Sequence, residues 1–364
     1  MKRHLYRIAF LIFLLPVVPI AAGAQYKAER VGDVIKLSDL QHKTSVSILP
    51  GMGDFVFEML VNGQNVLHFP YASVEDYEQH PSFSGIPFLA PWANRLDEQG
   101  FWANGKHYLF NMSLGNVRGE TPIHGFLTQA AGWQVVELKA DKNSAWLTSR
   151  LEYYKHPDWM AQFPFAQTIE ITQRLHDGVL EVHTKLENLS TDPMPVAIGF
   201  HPYFQLTDSE REDWTIHVSA KTHYLLQPNK IPSGETEPIT NFFKNPDAAP
   251  LSDYNLDDVF GDLVRGADGR AVFEVSGKHQ HLRVEFGPHY EAAVIFSPNP
   301  KNTKAPAAPR PGQSPPDPNF VCFEPMAGIT DALNLAHAGK YPELQTIAPG
   351  GTWEESFWVI PSGF

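Results

Sequence analysis

The sequence predicts an all-β protein, a large antiparallel β-sandwich or barrel, and three observations carry that reading. Apolar and polar residues alternate with period two along most of the chain, most clearly in Thr168–Leu175 and Val179–Leu186. That is the pattern of a sheet with one buried face and one wet face. Turn dipeptides recur between such runs, at Asn62-Gly63, Asn104-Gly105 and Asp177-Gly178, and each suits a two-residue hairpin. The 31 prolines and 26 glycines fit many turns and edges, and no long stretch carries a helical period.

Residues 1–24 are expected to be a signal peptide. Lys2, Arg3 and Arg7 precede an apolar run, Ile8–Ile20, and Ala22-Gly23-Ala24 offers a small-x-small cleavage pattern. The run is short for a membrane span of about 20 residues, so export to the periplasm or the exterior is expected, with the mature chain starting at Gln25. From there, strands are predicted at Thr44–Leu49 and Asp54–Val61, and a hairpin at Gly100–Ala103 and Lys106–Phe110. Trp133–Leu138 and Ala145–Glu152 lead into the Thr168–Leu186 hairpin. Further strands follow at Trp214–Ala220, Ala271–Val275, His281–Phe286, Ala292–Ser297, Phe320–Glu324 and Thr352–Ile360. Glu75–Pro81 reads as an irregular loop, Pro298–Pro318 as an exposed excursion, and Thr330–Ala338 as a turn or two of helix. No repeat or linker divides the chain, so residues 25–364 are expected to form a single domain.

Composition narrows the partners. The formal net charge is −13; loss of residues 1–24 removes three positive charges and no acids, taking it to −16. So acidic a chain, with no Lys/Arg-rich run, is a poor partner for nucleic acid or an anionic membrane surface. Its single cysteine, Cys322, excludes an intramolecular disulfide and reads as a small buried hydrophobe.

Five stretches place a titratable or charged group inside an apolar segment, where burial is costly without a partner or a task. They are Asn94-Arg95-Leu96, Ile123-His124-Gly125-Phe126, Gly199-Phe200-His201-Pro202-Tyr203-Phe204, Leu256-Asp257-Asp258-Val259-Phe260 and Cys322-Phe323-Glu324-Pro325-Met326. Sixteen histidines are present, yet no His-x-x-x-His, Cys-x-x-Cys or His-Glu-x-x-His spacing supports a metal site. Nucleophile elbows and phosphate-binding glycine loops are absent as well. What remains is carboxylate and imidazole chemistry. Glu324 is expected at the end of a buried strand, where desolvation raises a carboxylate pKa and makes it a stronger base. Taken singly, each group also has an ordinary structural explanation, such as an ion pair for Arg95 or a turn cap for Asp257 and Asp258.

Together and in order, the stretches resemble the aldose 1-epimerase (galactose mutarotase) family, from about Val46 to Ile360. Pro91–Leu96 is similar to its Asn-Arg segment, Gly100–Tyr108 to its following hairpin, and Ile123–Leu127 to its His-Gly segment. His201-Pro202-Tyr203-Phe204 resembles the His-x-Tyr-Phe motif, Leu256–Phe260 the Asp-x-x-Phe pattern that selects Asp257, and Cys322–Met326 with Thr330–Asn334 the C-terminal block. The resemblance implies a galactose mutarotase-like supersandwich, a small-molecule sugar substrate and no cofactor. It further implies that Glu324 and His201 are catalytic, as base and acid, and that Asn94, Arg95, His124, Tyr203 and Asp257 bind the substrate. Pro202, Gln205 and the Pro298–Pro318 excursion depart from the family pattern and leave the sugar open. An epimerase for a modified sugar and a sugar-binding protein without catalysis are the competing readings; the sequence does not indicate an oligomeric state.

Overall fold

The computed structural model describes residues 25–113, 117–299, 301 and 318–364. The expected signal peptide and most of the Pro298–Pro318 excursion lie outside the described residues.

The all-β expectation holds. Two large antiparallel sheets face each other. One, of nine strands, runs in the spatial order 134–140, 145–151, 167–176, 179–188, 352–362, 281–286, 271–276, 215–218 and 249–250. The other holds eight: 232–238, 220–226, 256–263, 292–297, 321–326, 199–200 and 88–89, with 203–204 also pairing to 321–326. A five-stranded meander over Tyr26–Asn65 completes the body. The three predicted hairpin dipeptides all form, with positive φ at both residues: 50° and 82° at Asn62-Gly63, 51° and 74° at Asn104-Gly105, and 48° and 73° at Asp177-Gly178. Such turns match the right-handed strand twist, which fixes the register from His176↔Val179 onward.

The core lies between the two large sheets. Alternation sends Phe323 inward, where it meets Phe273 (5.9 Å between ring centres) and Phe204 (6.4 Å), while Phe200 packs on Phe357 (5.0 Å). The other face of the 321–326 strand does not meet solvent. Met326 joins Leu89, Ala93, Val259, Ala292 and Val294 in a second apolar cluster. All six residues of Val321–Met326 are therefore buried, and whatever Glu324 does, it does away from bulk water.

Several elements differ from expectation. Trp214–Ala220 is two strands: Thr215–Val218 belongs to the nine-stranded sheet and Ala220–Leu226 to the eight-stranded one, so the chain changes sheets at Ser219. Glu75–Pro81 is largely helical. The helix Val74–Gln79 starts because Ser73 Oγ accepts the Asp76 amide (3.2 Å) and Glu75 and Asp76 occupy its first turn. The helix near the C-terminus is Ala332–His337. The Glu324 strand does not stop at the glutamate but runs through Pro325 to Met326. A proline is tolerated because the ladder towards 199–204 is interrupted there, pairing only Gly199↔Met326, Tyr203↔Cys322 and Phe204↔Val321. Among the described residues no helix is long and apolar enough to cross a membrane.

Candidate active site

That interruption builds the site. Continuing the register from Gly199↔Met326 and Tyr203↔Cys322 places residue 201 opposite residue 324. At this gap His201 turns its ring to the glutamate, Nε2 lying 3.1 Å from Glu324 Oε1, with side-chain exposures of 8% and 1%. Glu324 Oε2 and His201 Nδ1, both buried, have no hydrogen-bond partner among the described residues. Unpaired buried polar atoms are uncommon in folded proteins and call for an explanation; these two belong to residues that line one cleft.

Neighbouring strands bring the rest. Val259, Val294 and Glu324 stand in one row across the sheet, and Asp257, Phe296, Cys322 and Tyr203 in the row two residues away on the same face. Asp257 faces Arg95, whose Nη2 donates to Oδ2 at 3.0 Å and Nη1 to Oδ1 at 3.4 Å. Asn94 steadies the guanidinium, its Oδ1 accepting from Arg95 N (2.9 Å) and Nη1 (3.1 Å). Asn94 and His124 interlock: the His124 amide donates to Asn94 O (2.9 Å) and the Asn94 amide to His124 Nδ1 (3.2 Å). With Nδ1 accepting, the ring proton of His124 sits on Nε2. The Thr330–Asn334 stretch holds this segment from behind: Asp331 N donates to Arg95 O (3.1 Å), and Asp331 Oδ1 accepts the Asp97 amide (3.0 Å).

Asn94 (φ 57°) and His124 (φ 60°) both adopt the left-handed region, and so does Gly125 (φ 59°). At Gly125 a Cβ would fall 2.0 Å from the carbonyl oxygen of Ala90. Gly125→Ala is therefore expected to cost at least about 1–3 kcal/mol in conformational strain alone. It should also displace His124 from the cleft, and thermal denaturation would show the cost as a lowered midpoint.

Aromatic rings wall the cleft. Tyr203 stacks on His201 (4.7 Å, 10° between planes), Phe83 lies 5.8 Å and Phe296 5.7 Å from it, and Phe320 backs Tyr203 at 5.0 Å. One cleft is lined by Phe83, Asn94, Arg95, Arg118, Ile123, His124, His201, Tyr203, Asp257, Phe296 and Glu324. All seven residues singled out from the sequence thus line a single cleft. Phe83, Phe296 and Arg118 were not singled out. Phe296 lies on a predicted strand and register alone places it; Phe83 sits in an irregular segment and Arg118 on the two-residue strand Val117–Arg118, neither with a local signal.

Burial sets the electrostatics. Desolvation, with the Asp257 charge adding to it, raises the Glu324 pKa well above the ordinary carboxylate value, against the opposing pull of Arg95 and Arg118. Burial likewise takes His201 down to about 3, with Arg118 and Arg95 acting in the same direction. His124 is also held well below its ordinary value by burial, then by His201, Arg118 and Arg95. The two opposed shifts favour a single proton on the Glu324–His201 pair, as carboxylic acid facing imidazole or carboxylate facing imidazolium. A single proton on a carboxylate–imidazole pair equips the cleft for acid–base catalysis. Among the described residues, no group of three or more His, Cys, Asp or Glu side chains is placed to hold a metal ion.

Comparison with known proteins bears on this cleft. The sequence model of the aldose 1-epimerase family matches residues 37–359. The uncharacterized protein YihR of Escherichia coli K12 is 26% identical over 194 residues, an alignment spanning 53% of this chain and 56% of YihR. YphB of the same organism, also uncharacterized, is 23% identical over 262 residues, 72% of this chain and 78% of YphB. Among solved structures, a galactose mutarotase-like protein from Clostridium acetobutylicum superposes with a TM-score of 0.76 at 20% identity, covering 93% of this chain and 98% of that one. Galactose 1-epimerase from Lactobacillus acidophilus gives 0.64 at 17% identity, covering 93% and 98%. At such identities the structures establish the shared fold, and the family match across nearly all of the described chain establishes the lineage: this protein belongs to the aldose 1-epimerase family.

Proposed function

We propose that the protein interconverts the α and β anomers of an aldose, working on sugars outside the cytoplasm if residues 1–24 direct its export. The observation that supports this most is the buried Glu324–His201 pair at the floor of the cleft. In the reaction, Glu324 as carboxylate takes the proton from the anomeric hydroxyl while the imidazolium of His201 protonates the ring oxygen. The C1–O5 bond breaks and C1=O1 forms. Rotation about C1–C2 presents the other carbonyl face; the hydroxyl on C5 attacks it, its proton returns to His201, and Glu324 returns a proton to O1. The shared proton leaves the pair electrically neutral before and after ring opening, so no net charge is created in a dry site. Arg95, Asp257, Asn94 and the Nε2–H of His124 orient the hydroxyls, and Tyr203, Phe83 and Phe296 offer apolar faces to the sugar C–H groups. Polarimetry of freshly dissolved α-D-galactose and α-D-glucose tests the proposal: acceleration towards the anomeric equilibrium supports it. Absence of acceleration with these and with related aldoses, alongside measurable sugar binding, would replace it with a non-catalytic binding protein.

Arg118 favours a second reading of the substrate. Arg95 is engaged by Asp257 and the catalytic pair is neutral, whereas the guanidinium of Arg118 lines the cleft with no salt-bridge partner among the described residues. The cleft therefore carries about one excess positive charge in an otherwise acidic chain. One guanidinium at the exposed edge of the cleft suits a monoanionic sugar such as a hexuronate, whose planar carboxylate an arginine can hold through two bonds. Arg118→Gln is expected to lower kcat/KM for a hexuronate by roughly tenfold, in the range of a lost charge-assisted hydrogen bond, while a neutral hexose changes by less than about twofold. Equal loss for both sugars would remove the basis of this reading.

A further inference from the structure

Among the buried titratable groups of the same sheet that the proposed reaction leaves unused is a histidine. His223, on the strand Ala220–Leu226, is 6% exposed. Its Nδ1 lies 3.0 Å from Glu237 Oε1 and its Nε2 3.1 Å from Asp258 Oδ1. A neutral imidazole has a single N–H and can donate to only one of these; two carboxylates on two ring nitrogens call for the doubly protonated ring. Burial opposes that charge, but the hydrogen bonds and charges of Asp258 and Glu237 outweigh it, and the His223 pKa is raised. These two carboxylates, from the strands on either side, are the charged groups facing the ring. The remaining neighbours are aromatic: Phe242 of the short helix Ile239–Phe242 at 4.0 Å, and Phe260 at 5.4 Å.

Asp258 connects this group to the cleft. Its Oδ2 accepts the backbone N–H of Asp257 at 3.0 Å. The His223 strand pairs with the Asp257 strand only through Ala220↔Leu263, Thr222↔Gly261 and His223↔Phe260. Towards Leu256 the two strands separate, and the Asp258 carboxylate takes the place of a ladder partner for the Asp257 amide. Asp257 in turn holds Arg95 through two bonds. A continuous line runs from Glu237 through His223 and Asp258 to the Asp257 backbone and the Arg95 guanidinium. Asp257 and Asp258 alternate across the strand, so the line passes from one face of the sheet to the other.

We propose that His223, clamped between Glu237 and Asp258, is a positioning residue for the sugar-binding pair Asp257–Arg95. It does not touch the sugar. Bonded on both sides, it fixes the Asp258 carboxylate, and through it the backbone that aims Asp257. Loss of one ring proton frees one carboxylate to repel or rotate, and the clamp loosens. The inference rests on the proposed sugar-binding role of the cleft and deepens it with a pH dependence of affinity that follows the His223 imidazole.

The test measures sugar KM and Kd against pH for wild type, His223→Gln and Glu237→Gln, with the His223 imidazole titrated by NMR in the wild type. Wild-type Kd is expected to rise by roughly tenfold, the scale of a misplaced binding group, across the pH range in which NMR shows His223 losing a proton. His223→Gln, which offers a donor to only one carboxylate, is expected to show the weakened Kd at every pH, with kcat within about twofold. Glu237→Gln keeps the ring on Asp258 but removes one carboxylate, so its rise in Kd moves to lower pH; it serves also if His223→Gln does not fold. A wild-type Kd that stays flat while the NMR signal titrates overturns the inference, as does a His223→Gln variant with lowered thermal stability and unchanged Kd. If wild type binds sugar but turns none over, the proposed catalysis fails while the Kd comparison still decides this inference. If no sugar binds at all, both fail.

Discussion

Glu324→Gln is expected to lower the catalysed rate of anomer exchange by roughly 10²–10⁴-fold, the contribution of a positioned general base, with little change in sugar affinity. Gln matches Glu in size and can still bond to His201, so the cleft keeps its shape, but the amide cannot accept a proton from the anomeric hydroxyl at neutral pH. The readout is polarimetry for rate and calorimetry for binding. Loss of both together would indicate that Glu324 holds the sugar and does not act as its base.

The same substitution should stabilise the fold at and above neutral pH, and the sign follows from the two shifts. Unfolded, the glutamate and histidine titrate at about 4.3 and 6.5. Folded, Glu324 is raised well above its ordinary value and His201 falls to about 3. Between about pH 4.3 and 6.5 both states of the chain hold one proton on the pair, so its contribution is flat. Above that window the unfolded pair loses its proton while the folded pair keeps it, and stability falls as pH rises towards the folded pKa of Glu324. Below the window the unfolded pair gains a second proton that the folded pair resists, and stability falls again until about pH 3. The substituted amide does not ionise, so the advantage of Glu324→Gln in thermal denaturation should be largest in mildly alkaline solution and shrink as pH falls towards about 4.3. An advantage independent of pH would mean that Glu324 is not buried as a neutral acid.

Much of the sheet and of the cleft was legible because local chemistry and the final fold agree. Asp177-Gly178 favours the turn it makes, and the alternation of Thr168–Leu186 matches the face it buries. Where they diverge, longer-range contacts decided. Leu256–Leu263 carries two acids in its first half, which reads as a turn, yet it is a strand because Val259 and Phe260 are buried on opposite faces and Asp258 serves its own backbone. The split at Ser219 has no local mark, since a strand changing sheets looks like one strand from within. Arg118 and Phe83 reach the cleft by tertiary placement alone. The meeting of His201 with Glu324, 123 positions apart in the sequence, is a consequence of strand register, which no nearby residue announces. His223 carries no mark in the sequence for a related reason: its partners, Glu237 and Asp258, lie on two different strands and become a line of contacts only when the sheet forms.

His201→Asn is expected to cost kcat a comparable roughly 10²–10⁴-fold, and the double variant His201→Asn, Glu324→Gln little more than either alone. The reason is the shared proton. Ring opening needs a base at the anomeric hydroxyl and an acid at the ring oxygen in the same step, and across the 3.1 Å contact one proton supplies both roles. Removing the imidazole strands that proton on the carboxyl group, where burial already favours it, so Glu324 ceases to be a base. Removing the carboxylate leaves an imidazole whose pKa is drawn to about 3, which at neutral pH has no proton to give. Residues that act as a unit show such non-additive losses. The pH profile separates this from two independent contributions. Wild-type kcat should fall on both sides of a plateau, as the pair gains a second proton at low pH or loses its only one at high pH, and in either single variant one limb should disappear. Fully additive losses, or single variants that keep both limbs, would show that His201 and Glu324 work separately and that the proton is not shared between them.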